Sequence, residues 1–118
     1  MAGRRHYLKE ESKFRIMRLL AQNPNISTRK LADEVGISNG SAFYLLTALI
    51  DKGFVKLENF RNSNEKKKYA YILTPRGVRE KSKLTIDFLE RKRYEFNYLK
   101  NEIKEVEIEI GLTKEVKE

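Results

Sequence analysis

The chain has no cysteine, a single histidine, two prolines and no apolar run of membrane length in its 118 residues. Without cysteine there are no disulfides, no thiolate metal sites and no thiol redox sensing. His6, standing alone near the N-terminus, is read as a surface residue, with neither a metal-binding nor a catalytic role. The opening MAGRRHYLKEESK lacks the apolar h-region of a secretory signal, and no segment is long and apolar enough to span a bilayer. The expected location is therefore cytoplasmic, with no membrane partner. Enzyme signatures are missing too: there is no Cys or His nucleophile-base pair, no phosphate-cradling loop and no metal-ligand spacing. Gly36, Gly40 and Gly53 are explained by turns and helix ends, and Glu10, Glu11, Asp33 and Glu34 by helix-end and surface charge. No catalytic residue, cofactor or metal is expected, and the protein is not read as an enzyme.

One further absence is local. No Lys or Arg occurs between Gly36 and Asp51, although the chain carries a net charge of +8. Residues 1–80 hold 16 Lys and Arg against 8 Asp and Glu, whereas residues 81–118 hold nine of each. The whole excess thus belongs to the first part. A basic globular part joined to a neutral, charge-rich tail suggests one surface facing a polyanion and one facing protein.

Hydrophobic spacing organises the chain. From about Glu10 to Gln22, Phe14, Ile16, Met17, Leu19 and Leu20 form one face of an amphipathic helix with acids in its first turn, and Asn23-Pro24 ends it. Arg4 and Arg5 precede it on an N-terminal arm. Ser27 can cap a second helix, TRKLADEV, with Leu31, Ala32 and Val35 on one side and Gly36 in the left-handed position past its end. Ile37 returns to the core, and Ser38 can cap a third helix in which Ala42, Leu45, Leu46, Leu49 and Ile50 recur at three and four before Gly53 stops it. Two short helices joined by a tight glycine-containing turn match the helix-turn-helix signature.

The period then changes. FVKLENF sets Val55 and Leu57 against Lys56 and Glu58, and KYAYIL sets Tyr69 and Tyr71 against Ala70 and Ile72, so the two read as strands of a hairpin with a basic tip, RNSNEKK. Thr74 can cap a last helix with Pro75 at its first position and Leu73 and Val78 as a staple. Nothing interrupts that helix to about Ile110, roughly 36 residues or on the order of 54 Å, too long to lie wholly on so small a domain. Leu89, Phe96, Ile103 and Ile110 are spaced by seven, with Leu99 and Val106 at the companion position and Lys92 as the exception. A stripe folded back on its own domain is the alternative; self-association is preferred, with parallel and antiparallel pairing both open.

The expected fold class is mainly α with a small β-hairpin (α+β): a winged helix-turn-helix DNA-binding domain over residues 1–74, a coiled-coil dimerisation helix over 75–111 and a disordered tail over 112–118. A DNA-binding module divides grip from reading, since cations and capping groups hold phosphates while short polar groups distinguish bases. The third helix offers Ser38, Asn39, Gly40, Ser41, Tyr44 and Thr47 on its outer face, with Phe43 between faces. Asn can bond adenine, Ser and Thr meet several base edges, and an aromatic ring or Thr can touch a thymine methyl. Ser27, Thr28, Arg29 and Lys30 at the start of the second helix, and Arg61, Asn62, Lys66, Lys67 and Lys68 at the hairpin, bracket that helix with capping groups and cations.

The order of these elements resembles the winged helix-turn-helix of MarR-type bacterial regulators. ISTRKLADEVGIS, LTALIDKGFVKLENFRNSNEKKKYAYILTPRGVREKSKLTIDFLERK and YEFNYLKNEI are similar to the small MarR-type regulators associated with exopolysaccharide (EPS) gene clusters, over about Phe14 to Ile103. The helix-turn-helix part is shared by many regulators; the wing and the LTIDFLERK helix start are more particular. The resemblance implies a transcriptional regulator binding double-stranded DNA as a homodimer, acting on surface-polysaccharide genes. It makes Ser38, Asn39, Ser41, Tyr44 and Thr47 the base readers and Arg61 a groove or phosphate contact. Larger MarR-type proteins dimerise through helices at both ends and often bind phenolic ligands between them; this chain has little ahead of its first helix, and no effector is assigned. A competing reading from the residues is a protein-interaction adaptor built on the same fold, against which the net charge and the polar helix end both weigh.

Overall fold

Three side-chain oxygens start three of the helices. The computed structural model describes residues 3–61 and 67–112. In it Ser27 Oγ accepts the Lys30 N–H at 3.1 Å at the head of α2 (Thr28–Val35), Ser38 Oγ accepts the Ser41 N–H at 3.0 Å at the head of α3 (Asn39–Asp51), and Thr74 Oγ1 accepts the Gly77 N–H at 3.0 Å at the head of α4 (Pro75–Glu109). Each satisfies an N–H that has no carbonyl one turn back. Gly36 leaves α2 at φ +81°, and its N–H and that of Ile37 both reach the Ala32 carbonyl, which turns the chain sharply into α3.

The first helix, α1 (Gly3–Gln22), starts earlier than the sequence suggests. Arg4 and Arg5, expected on an arm, lie in helical backbone instead. Glu10 and Glu11 are consequently not first-turn acids but mid-helix residues. Glu10 Oε1 pairs with Lys13 Nζ at 3.2 Å and Glu11 Oε1 with Arg15 Nη2 at 2.9 Å, the three- and four-residue spacings that support a continuous helix. Nothing between Gly3 and Lys9 breaks the helix, so the acids were a misleading start signal.

The strands β1 (Val55–Arg61) and β2 (Lys67–Leu73) pair antiparallel from Val55 opposite Leu73 to Arg61 opposite Lys67. The hairpin tip, with Asn62 and Lys66, lies outside the described residues, as do residues 113–118 of the expected disordered tail. Val55 at the hairpin base and Ala70, opposite Glu58, are buried, while Leu57 and Tyr69 are exposed. The Tyr71 N–H donates to the Pro24 carbonyl at 3.0 Å, which ties the edge of β2 to the connection between α1 and α2.

The core is apolar throughout: Phe14, Ile16, Met17 and Leu20 of α1, Ile26, Leu31 and Ala32 around α2, Ala42, Leu45, Leu46 and Leu49 of α3, then Val55, Ala70 and Leu84. Among the described residues no polar or charged side chain is buried. Val35, Ile37 and Ile50, expected inside, are only half-buried. The chain forms two compact units, Met1–Thr85 and the part from Ile86 onward, so the first turns of α4 belong with the winged part.

Those first turns are held closely. The Thr74 N–H donates to the Phe54 carbonyl at 3.0 Å, the Thr74 hydroxyl donates to the Gly53 carbonyl at 2.6 Å, and the Arg76 guanidinium lies 5.3 Å from the Phe54 ring centre. Gly77 is buried against the same turn, and a Cβ placed there would collide with the Phe54 carbonyl oxygen. Val78 stays exposed, which leaves its expected staple with Leu73 little area to cover. Backbone against backbone cannot yield as a flexible side chain can. Gly77→Ala should therefore lower unfolding stability by about 1–3 kcal/mol in urea titration. Gly40→Ala, with nothing within 4 Å of the added methyl, should raise it by up to about 1 kcal/mol.

Candidate nucleic-acid interface

At about 100° per residue, Ala42, Leu45, Leu46 and Leu49 occupy an arc of roughly 100° on α3, and all four are buried. Opposite that arc stand Gly40, Tyr44 and Thr47. Asn39, Ser41, Phe43 and Tyr44 are exposed, the two rings at 61% each. The packing of the apolar arc thus fixes which side chains a partner can meet, and they are polar or aromatic and uncharged.

Their hydroxyls are not equivalent. The Ser38 oxygen accepts the Ser41 N–H and its proton goes to Ser41 Oγ at 2.8 Å, so Ser38 serves the helix end. Ser41 accepts there and keeps its own proton for an outside acceptor. Thr47 donates to the Phe43 carbonyl at 2.9 Å, which leaves it accepting lone pairs and a methyl. Ser27 is likewise engaged at the head of α2. Such an arrangement can accept from base amino groups, donate to base oxygens and touch methyls, without a fixed positive charge.

Of the cations read from the sequence, Arg29 and Lys30 are exposed in the first turn of α2, beside half-buried Thr28, and Lys30 Nζ lies 3.3 Å from Glu34 Oε1. Both partners of that pair face solvent, so a phosphate can displace the carboxylate at little cost. Arg61 and Lys67 form the outermost described rung of the hairpin, and Lys68 lies opposite Phe60.

Three cations escaped the sequence reading. The Lys9 ammonium lies 5.4 Å from the centre of the Tyr44 ring, on a groove that also takes in Ser12, Ser38, Gly40 and Ser41. Lys13 stands one turn further along α1. Lys52, which caps the C-terminal end of α3, is pulled below the usual lysine pKa chiefly by the neighbouring Lys13 ammonium, with smaller effects of burial and Lys9 and an opposing one of Glu10. The four-residue spacing of Lys9 and Lys13 was visible in the sequence; their placement beside α3 was not.

On the second half of α4, Leu89, Phe96, Leu99, Ile103, Val106 and Ile110 are all exposed, Phe96 at 64% and Ile103 at 59%. Lys92, the charge in this seam, reaches Glu95 Oε2 at 3.2 Å and lies 5.3 Å from the Phe88 ring centre. Its ammonium is thereby drawn to the flank of its own helix.

Residues 9–56 match the family model described as winged helix-turn-helix DNA-binding. The chain has a winged helix-turn-helix fold. A PadR-like transcriptional regulator from Bacillus cereus superposes with a TM-score of 0.68 at 17% identity, over 80% of this chain and 96% of that one. A MarR/EmrR family transcriptional regulator from Acinetobacter gives 0.53 at 22% identity, over 86% and 75%. Staphylococcus aureus MarR in complex with salicylate and kanamycin gives 0.51 at 19%, over 82% and 72%. These likenesses establish a shared fold. No curated protein matches the chain in sequence.

Two neighbouring residues should separate under mutation. Ser38→Ala should cost about 1 kcal/mol of folding stability and weaken duplex binding regardless of sequence. Asn39→Ala should leave stability unchanged and cost about 1–3 kcal/mol of base discrimination at one position, read by titrating singly substituted sites.

Proposed function

We propose that this winged helix-turn-helix protein is a DNA-binding transcriptional regulator of the MarR and PadR type, with the outer face of α3 as its reading surface. The observation that carries this reading is the uncharged, exposed face of Asn39, Gly40, Ser41, Tyr44 and Thr47 over a fully apolar buried arc, in a chain with a net charge of +8. Asn39, Ser41, Tyr44 and Thr47 read bases. Ser38 and Ser27 orient helix ends, whose N–H groups attract phosphate. Thr28, Arg29 and Lys30, with Arg61, Asn62, Lys66, Lys67 and Lys68 of the wing, hold the backbone on either side.

The regulator acts as a homodimer joined along the seam from Leu89 to Ile110, and it binds an inverted repeat. Six apolar residues at heptad spacing, all open to solvent in a single chain, support this. The neighbours' description as transcriptional regulators agrees with the DNA-binding reading, and the resemblance to EPS-associated regulators points to surface-polysaccharide genes as targets.

Selection of binding sites from random duplexes should return two half-sites in inverted order, centred about 10 base pairs or one or more helical turns apart. Ile103→Lys should shift the sedimenting mass from two chains to one and weaken operator affinity at least about 100-fold, the loss expected when two linked contacts become one. Recovery of no preferred sequence would overturn base reading. A single-chain mass for the unaltered protein would overturn the dimer.

A further inference from the structure

We infer that Lys9, Lys13 and Lys52 form a phosphate-binding edge between α1 and α3, a third grip on the DNA backbone besides the first turn of α2 and the wing. The inference rests on the DNA-binding reading above and adds to it a site on an element not otherwise assigned to the duplex.

The geometry begins with Tyr44. Its ring lies on the outward face of α3, and the Lys9 ammonium stands 5.4 Å from the ring centre, so this cation sits at the margin of the reading face itself. Ser41, Tyr44, Ala48 and Lys52 follow one another at three, four and four, which makes a single ridge along α3. Lys9 and Lys13, four apart on α1, are about 6 Å from one another along their helix axis. The contact of Lys9 with Tyr44 sets the two rows side by side, and Lys13 acts on Lys52 as a neighbouring like charge. At the upper end of this edge the groove that Lys9 shares with Ser12, Ser38, Gly40 and Ser41 reaches the first turn of α3, where backbone N–H groups point outward.

The charges of this edge are poorly balanced within it. The Glu10 carboxylate is already bonded to Lys13 at 3.2 Å. Lys52 feels Lys13 as a repulsive neighbour. Cations held together in this way gain most from an anion that bridges them, because the bridge converts a repulsion into two attractions. A structural role explains the arrangement less well, since Lys9 and Lys52 are exposed and a repulsive pair adds nothing to the fold.

A backbone phosphodiester fits the edge in charge and position. A duplex that accepts the tip of α3 in its major groove brings the phosphates of one strand alongside the helix, and α1 flanks that side. The contact is blind to base sequence, so it sets affinity and register.

The test uses the full chain and a duplex carrying its selected site, with Lys9→Ala, Lys52→Ala and the double variant. Each removed phosphate contact should make the plot of log affinity against log salt shallower by about 0.9, and the double variant by about 1.8, with the preferred sequence unchanged. Melting temperatures should stay level, or rise for Lys52→Ala, because it removes a repulsion; this keeps a folding defect from imitating the effect. Variants as steep in salt as the unaltered protein, on a duplex that the unaltered protein binds, would overturn this edge alone. Failure of the unaltered protein to bind any duplex would overturn the DNA-binding reading and the edge together.

Discussion

Leu45 and Leu46 are adjacent in the chain and both are buried, which on a helix requires an apolar arc wide enough to hold neighbours about 100° apart. With Ala42 and Leu49 they lock the rotation of α3, and which residues form the outer face follows from that lock. A rotation of one residue would bury Tyr44 or expose Leu45. The apolar side has no freedom to choose otherwise, because the core of so short a chain is drawn from a few side chains in each element, and each carries a large share of the stability. The outer face is therefore the complement of the core, and its lack of charge is a property that packing alone does not impose. Lysine or arginine could stand at Gly40, Tyr44 or Thr47 without touching the core.

The second constraint is the close backbone joint around Phe54. Gly53 and Phe54 receive Thr74 through two hydrogen bonds, and Gly77 closes over the Phe54 carbonyl without room for a methyl group. This joint ties the start of α4 to the end of α3 and spans the hairpin between them. It places the wing, because β1 leaves and β2 returns within one cluster of bonds. Displacement of Phe54 would move the base of the hairpin and the C-terminal end of α3 at once.

Much of this was legible in the sequence where the signal is local. Ser27, Ser38 and Thr74 act as caps within three residues of themselves, Gly36 adopts the left-handed conformation its position suggests, and the seven-residue spacing from Leu89 to Ile110 needs no tertiary knowledge. The failures are of two kinds. The start of α1 was misplaced because Glu10 and Glu11 imitate first-turn acids, whereas their partners Lys13 and Arg15 lie downstream in the same helix. Gly77, the Pro24 carbonyl and Lys9 were missed because their significance lies in residues far away in the chain, Phe54, Tyr71 and Tyr44. Periodicity tells which face a residue occupies; it does not tell what stands opposite.

The separation of charge from reading has an energetic consequence on the proposed function. A cation on the reading face would bind any duplex through its phosphates, so it would raise affinity for the many wrong sites as much as for the right one. Polar uncharged groups act differently: matched to a base edge they bond, and mismatched they lose their water without replacement, which costs more than the bond gains. On that proposal discrimination comes from the tip of α3, and the grip from cations displaced onto α1, α2 and the wing. Because the grip is indifferent to sequence, its strength can be set without altering specificity. Pairing along the α4 seam would then multiply the discrimination, since two copies must match two half-sites at a fixed spacing before either holds its full set of contacts.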